Sequence, residues 1–172
     1  MLGFYENFPQ NIHRVDSFTS SLSRSRLQQR IAQVLLELNC KTFTFEEVGS
    51  PSVPECTVIF EFGIADAGNF NFVDDEEAQK VLNAVKREPL KMMDLFCAVR
   101  YYKNKTNTTK KTPLKFDYYM LRVSFGKEKS VDLQVFHERG PRYISPEDLA
   151  VFWVKKVNEA SVRKILKPAE TA

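Results

Sequence analysis

The stretch that decides the fold is MMDLFCAVRYYKNKTNTTKKTPLKFDYYMLRVSFGKEKSVDLQVFHERGPRYISPEDLAVFWVKK, residues 92–156. Apolar and polar residues alternate in three runs of it, at 92–102, 114–125 and 131–138, and such alternation is typical of half-buried strands. Because short connections favour antiparallel pairing of neighbours, the sequence predicts a three-stranded meander. A helix is predicted to follow it from Ser145.

Alternation also assigns the side chains of these strands to two faces of the predicted sheet. One face receives Met93, Leu95, Cys97, Val99 and Tyr101 from the first strand, Lys115, Asp117, Tyr119, Leu121, Val123 and Phe125 from the second, and Val131, Leu133, Val135 and His137 from the third. The opposite face is also largely apolar near the middle of the first two strands. The sheet is therefore expected to be covered on one face and partly covered on the other.

The last helix carries a strong start signal. Ser145 fits the N-cap, Pro146 fits the first helical position, and Glu147 with Asp148 complement the positive end of the helix dipole. The residues that follow are apolar nearly all round and include Trp153. We therefore expect this helix to be deeply packed.

Further elements are predicted before this stretch. Apolar residues at helical spacing (Leu27, Ile31, Val34, Leu35 and Leu38) predict a first helix capped by Ser23 or Ser25. A second helix is predicted at about 75–87, behind the cap pattern of Asp74 and Glu77. Strands are predicted at 42–46 and 57–64, with a weaker one at 12–20, and residues 65–73 are predicted as a loop.

This order of elements predicts an α+β fold. The expected architecture is an antiparallel sheet of about five to six strands with helices packed on one face. A chain of 172 residues fits one domain. We predict a single domain over residues 1–167 and a frayed tail over 168–172.

Composition excludes few classes of function. The chain has 25 basic and 22 acidic residues, so its net charge of +3 is too small to predict a nucleic-acid partner. Any such prediction depends on local clustering of the charges. The 14 Phe and 6 Tyr favour a large sheet.

The three cysteines, Cys40, Cys56 and Cys97, have neither metal-ligand nor redox spacing. We interpret them as structural thiols in a reducing compartment, and we predict no metal and no cofactor. The N-terminus lacks the basic start and apolar run of a signal peptide, and no stretch reaches the length of a membrane span. The expectation is a cytoplasmic protein without a membrane partner.

The loop at residues 103–115 is the first candidate site, because it holds five lysines and no acid. Its basic side chains are Lys103, Lys105, Lys110, Lys111 and Lys115, and Arg100 and Tyr102 precede it. Lysine neutralises phosphate and tyrosine offers a stacking plane, so this pattern suits nucleic acid. A flexible hairpin tip kept soluble by lysines has the same composition, and the sequence alone favours that plainer interpretation.

The corner at residues 137–143, where the third strand ends, is the second candidate. Arg139 and Arg142 lie just before the Ser145 cap, so their guanidinium groups could meet an anion near free helix N–H groups. The plainer alternative is turn chemistry, with the arginines paired to Glu147 or Asp148. Local sequence favours this alternative.

His137 is the weak catalytic candidate of this corner. It could act as an acid or base, tuned by Glu138 or another carboxylate. Alternation puts His137 and Glu138 on opposite faces, which argues against a pair between these two. Asp94, Asp117 and Asp132 fall inside apolar strands and need partners if buried, and Arg100 and Arg122 are the nearest by sequence.

No nucleotide-binding, zinc-protease, nucleophile-elbow or paired-cysteine motif occurs in the chain. The sequence therefore favours a non-catalytic binding module over an enzyme. We predict a nucleic-acid or other polyanion partner for the basic loop and the Arg139/Arg142 corner. Two alternatives stay open: a protein-assembly subunit, which could self-associate, and an enzyme or ligand carrier with a pocket between the sheet and the last helix, using His137.

Overall fold

The computed structural model describes residues 1–39, 41–49, 56–103 and 113–169, and for Lys103, Pro113 and Leu114 it describes the backbone alone. The helices in these ranges are α1 Arg24–Leu38, α2 Phe45–Val48, α3 Asp75–Arg87 and α4 Pro146–Asn158. The strands are β1 Arg14–Ser20, β2 Thr42–Thr44, β3 Cys56–Asp66, β4 Asn69–Phe72, β5 Met92–Lys103, β6 Pro113–Phe125, β7 Ser130–Arg139 and β8 Leu166–Pro168. None of the described helices is both long and apolar enough to cross a bilayer.

The strands form one antiparallel sheet in the order β2-β3-β5-β6-β7-β1-β8, and β4 pairs with the end of β3. The predicted meander is confirmed as β5, β6 and β7 at its centre. Our expectation of five to six strands was too low, since the described residues alone form eight. Strand β2 lies within the strand predicted at 42–46, whereas β4 and β8 have only four and three residues, too few for alternation to reveal them.

The segment 65–73, predicted as a loop, instead contains the end of β3 and all of β4. The turn between these strands contains Ala67 and Gly68, both with positive φ. Phe70 and Phe72 are therefore strand residues. The prediction failed because a hairpin this short shows no periodicity of its own.

The helices pack on one face of the sheet. The core cluster joins the buried stripes of α1, α3 and α4 to the predicted apolar face of β3, β5, β6 and β7. Aromatic rings from three elements pack together there. The ring centroid of Phe152 in α4 lies 5.2 Å from the ring centroids of both Phe43 and Phe60. The period-two and helical patterns therefore assigned the buried side chains correctly.

The opposite face, which we call the open face, is partly covered by the N-terminal segment 1–12. The Tyr5 amide donates to the Asp94 carboxylate at 2.7 Å, and Arg122 pairs with that carboxylate at 2.7 Å. The Arg122 guanidinium also lies 4.3 Å from the centroid of the Phe8 ring. Asp94 is thus buried with one of the two arginines expected for it, and this end of the open face is closed.

Side-chain hydrogen bonds stabilise both ends of helix α4. The Ser145 hydroxyl accepts from the Asp148 amide at 3.0 Å, as the cap pattern predicts. At the other end the Asn158 amide oxygen accepts from the Ile165 and Leu166 amides. These bonds turn the chain back into β8, which includes Pro168 opposite Phe18.

Candidate functional site

The strand ends next to both candidate sites predicted from the sequence lie at the same end of the sheet. The register pairs Tyr102 with Pro113, and Tyr118 with Arg139. The end of β5, the start of β6 and the end of β7 are therefore neighbours, and we call this region the basic end. The two strand ends that flank the lysine-rich loop in sequence lie here, and so does the start of the corner that follows β7.

The lysines of the loop are only partly described. Lys105, Lys110 and Lys111 lie outside the described residues. Lys103 is the last residue of β5, and Lys115 lies in β6 with an exposed side chain. The loop is thus anchored at the basic end on both sides.

Arg139 lies over an aromatic ring on the open face. Its guanidinium carbon is 4.6 Å from the centroid of the Tyr118 ring, a cation–π distance. The side chain is exposed, and within the described ranges it forms no ion pair with a carboxylate. An exposed planar cation that lies over a ring is suited to binding a further planar or anionic group.

Arg142 lies in the corner with a φ of 60° and an exposed side chain. Its guanidinium, like that of Arg139, makes no ion pair with the described carboxylates. The pairing with Glu147 or Asp148 that the plainer interpretation requires is therefore absent from this part of the chain.

Arg100 and Tyr102 are less available than the sequence suggests. The Arg100 guanidinium pairs with Glu61 at 2.5 Å on the open face. Tyr102 is only 8% exposed. A ligand at the basic end would have to displace Glu61 to use Arg100.

The buried carboxylate of Asp117 holds the corner in place through hydrogen bonds. Four donors converge on its two oxygens: the Tyr101 hydroxyl at 2.6 Å, His137 Nε2 at 2.8 Å, the Arg142 amide at 2.7 Å and the Tyr143 amide at 2.9 Å. His137 must carry a proton on Nε2 to donate in this arrangement. The carboxylate is fully enclosed, and these bonds offset the cost of removing it from water.

Two tyrosines complete this network. Tyr119 donates to the Ile144 carbonyl, and its ring meets His137 edge-on with centroids 5.1 Å apart. Burial raises the pKa of Tyr101 well above the ordinary value of 10, with the neighbouring Tyr119 and Asp117 adding to the effect. Burial likewise raises the pKa of Tyr119, and the Asp117 charge adds to it. Both hydroxyls therefore stay protonated and serve as donors.

His13, which immediately precedes β1, approaches the same corner. Its Nδ1 accepts from the His137 amide at 3.0 Å, and its ring stacks on Phe136. Desolvation, then the charges of Arg142 and His137, lower the pKa of His13. The neutral ring fits this hydrogen bond, because an imidazolium has no acceptor.

Gly140 lets the corner pass close over β6. It has a φ of 113°, and a Cβ there would overlap the Phe116 carbonyl oxygen and Asp117 Oδ1. Any other residue would be strained and would also push the corner off the carboxylate. The glycine is thus required by both backbone conformation and space.

We expect Gly140→Ala to lower the free energy of unfolding by more than Gly68→Ala. Gly68 also has a positive φ, 83°, but no atom lies within 4 Å of the position that a Cβ would take there. Gly68→Ala should cost about 1 kcal/mol from backbone strain, and Gly140→Ala about 2–3 kcal/mol because steric overlap adds to the strain. Urea denaturation of both variants measures the difference, and equal losses would contradict the close approach over Asp117.

The geometry around Asp117 favours a structural role over catalysis. The carboxylate already has four donors, and the partner of His137 is Asp117 rather than Glu138, which is exposed. A groove of about 520 Å³ does lie between β1 and α4, lined by residues such as Phe18, Val151 and Val154. His137 is not among the residues that line this groove. The groove therefore does not supply the pocket that the enzyme or ligand-carrier alternative with His137 requires.

The start of α4 is a poor anion site. The Asp148 amide is used by the Ser145 hydroxyl, and Pro146 has no N–H to offer. Glu147 and Asp148 also place negative charge in the first turn. An anion at this corner would therefore be held by the arginines and not by the helix.

Metal-ligating side chains are scattered in the described part of the chain. Across residues 1–39, 41–49, 56–103 and 113–169, no three His, Cys, Asp or Glu side chains come together as a possible metal site. The residues that gather at the basic end are cations and aromatic rings instead.

Sequence reasoning missed the hydrogen-bond partners of Asp117, and it did not single out Phe116 as a candidate site residue. Alternation had already placed Asp117, Tyr119 and His137 on one face, but it could not show that they are neighbours. That information lies in the register of β6 against β5 and β7.

Comparisons with family models, with curated proteins and with solved structures find no match to this chain. Fold and site thus define the class of this protein only as an antiparallel α+β domain with a basic end. Its function has to follow from its own residues.

Proposed function

We propose that this protein is a non-catalytic binding module that takes a polyanion, nucleic acid foremost, at the basic end of its sheet. One observation carries the proposal: the strand register puts the ends of β5 and β6 that flank the lysine-rich loop beside the end of β7, where the Arg139/Arg142 corner begins. Two groups of charges that are separate in sequence can then contact one ligand. The cytoplasmic location expected from the sequence is part of this proposal.

Charge at the basic end supports a polyanion. Arg139 and Arg142 have exposed guanidinium groups without ion pairs in the described part of the chain, and Lys115 near the start of β6 is also exposed. Lysine and arginine side chains bind phosphate chains mainly by releasing condensed counterions. A small net charge for the whole chain is compatible with this, because the cations are concentrated locally.

The saturated Asp117 network supports a binding role over catalysis. A general base needs a free lone pair facing a substrate, and the Asp117 oxygens are occupied by internal donors. The same network holds the backbone of Arg142 and Tyr143. It therefore favours a corner that keeps a fixed shape when a ligand arrives.

The proposal predicts salt-dependent binding that needs both groups of cations. Lys105, Lys110 and Lys111 changed together to Ala, or Arg139 and Arg142 changed together to Ala, should weaken binding to a labelled oligonucleotide. The slope of log K against log salt should fall by about 0.7–0.9 for each phosphate that the variant no longer neutralises. Fluorescence anisotropy over a salt series measures both effects.

The matched control removes three lysines from the opposite end of the sheet. Lys91, Lys127 and Lys129 are exposed there, beside the turn from β6 to β7. Changing these three to Ala lowers the net charge by as much as the Lys105/Lys110/Lys111 triple does, and it should leave the slope unchanged. The proposal would be overturned if the parent protein did not bind at low salt, or if the control triple lowered the affinity and the salt slope as much as the other variants. Either result would favour the protein-assembly alternative.

A further inference from the structure

Flat aromatic side chains extend across the open face beside Arg139. Phe116 and Tyr118 alternate to the same side of β6, with ring centroids 6.3 Å apart and planes within 9° of parallel. The row continues from Tyr118 to Phe96 at 5.8 Å, and from Phe96 to Phe70 at 5.6 Å. None of these rings belongs to the core cluster beneath the helices.

Exposure of these rings increases toward the basic end. Phe70, Phe96 and Tyr118 are half-buried, whereas Phe116 is 38% exposed. The other end of the open face is closed by the N-terminal segment, where Phe8 lies over Arg122. A ligand therefore meets the rings of β6 first.

We propose that the ligand of the basic end is single-stranded nucleic acid, with unpaired bases stacked on Phe116 and Tyr118 and with phosphates on Arg139. This inference rests on the proposed function and specifies its ligand. Bases stack on aromatic side chains without regard to sequence, because every base has a π face. A bare polyanion gains nothing from the rings, and a duplex keeps its bases stacked internally.

The position of Arg139 fits this ligand in two ways. Its guanidinium lies over the Tyr118 ring, so this planar cation is placed to stack on a base beside the ring or to turn to a nearby phosphate. The acidic side chain closest to the row in β3, Glu61, is neutralised by Arg100. Glu138 on β7 is exposed and adds one negative charge, which the cations of the corner outnumber.

The test separates ring contacts from charge contacts. Three probes are compared by anisotropy or competition at equal salt: a short oligothymidylate, a duplex of mixed sequence, and heparin. The parent protein should bind the single strand most tightly. Tyr118→Leu and Phe116→Leu should each weaken the single-strand complex by roughly five- to a hundred-fold.

The ring variants should leave two other quantities unchanged. Heparin competition should match the parent, since heparin has no bases to stack. The salt slope should also match the parent, because neither variant removes a cation that neutralises phosphate, whereas Arg139→Ala should lower it. Phe72→Leu is the matched control, as Phe72 is 45% exposed and is not one of the four rings of the row. This control should bind like the parent.

Each outcome decides one of the two proposals. Binding of none of the three probes removes the proposed function and this inference together. Equal binding of duplex, heparin and single strand, with both ring variants like the parent, overturns the single-strand inference and leaves polyanion binding in place. Should Tyr118→Leu fail to give a parent-like melt, the decision rests on Phe116→Leu, whose more exposed ring can be shortened without disturbing the core.

Discussion

Asp117→Ala should lower the free energy of unfolding by about 3–5 kcal/mol, the range expected when one partner of a buried charged network is removed. The substitution leaves the Tyr101 hydroxyl and the amides of Arg142 and Tyr143 without their acceptor in a site closed to water. Each such buried donor costs about 1–3 kcal/mol when its partner is removed. Denaturation in urea followed by circular dichroism measures the decrease.

Two comparisons show whether the network is responsible. Asp132→Ala removes an exposed carboxylate whose hydrogen bond to Ser17 lies at the surface, and it should change stability by less than about 0.5 kcal/mol. Amide hydrogens of Arg142 and Tyr143 should exchange faster in Asp117→Ala. A decrease under about 1 kcal/mol with unchanged exchange would show that Asp117 does not fasten the corner.

Trp153→Ala should cost about 3–5 kcal/mol, because the whole indole is removed from the core. Trp153 lies in α4 and is fully enclosed. Its Nε1 has no hydrogen-bond partner among the described residues, so the cost comes from packing and the cavity left behind. Circular dichroism is the suitable probe, since Trp153 is the only tryptophan and the variant has no indole fluorescence.

Val151→Ala in the same helix is the control for Trp153→Ala. Val151 is 62% exposed, so truncating it should change stability by less than about 0.5 kcal/mol. Trp153→Phe should lie between the two, because it keeps an aromatic ring in the site. A decrease below about 1 kcal/mol in Trp153→Ala would mean that α4 does not close the core.

The long helices and strands could be predicted from the sequence, because the spacing of apolar residues along each of them indicates its type. Strands β5, β6 and β7 and helices α1, α3 and α4 lie where alternation, helical spacing and caps indicated. Burial of Trp153 followed from the same pattern, since a helix that is apolar nearly all round must be enclosed. Strand β2 lies within the strand predicted at 42–46, but β4 and β8 are so short, at four and three residues, that they have little or no period to detect.

The site depended on information that a single sequence does not contain. Alternation placed Asp117 and His137 on the covered face, yet which residues lie opposite each other depends on register. A bulge between Tyr118 and Tyr119 shifts that register, so that Arg139 lies opposite Tyr118. Local sequence also offered Glu138 as the nearest carboxylate to His137, and only the pairing of β6 with β7 shows that Asp117 occupies that place.

By itself, then, the sequence determined which of the longer elements form and which face of each is buried, because both follow from the spacing of apolar residues along one segment. Tertiary structure decided which segments are neighbours. It put the ends of β5 and β6 that flank the lysine-rich loop beside the end of β7, closed Gly140 over Asp117, and placed the Arg139 guanidinium over the Tyr118 ring. These contacts join residues far apart in the chain, and their geometry depends on strand register and on turns that no local pattern specifies.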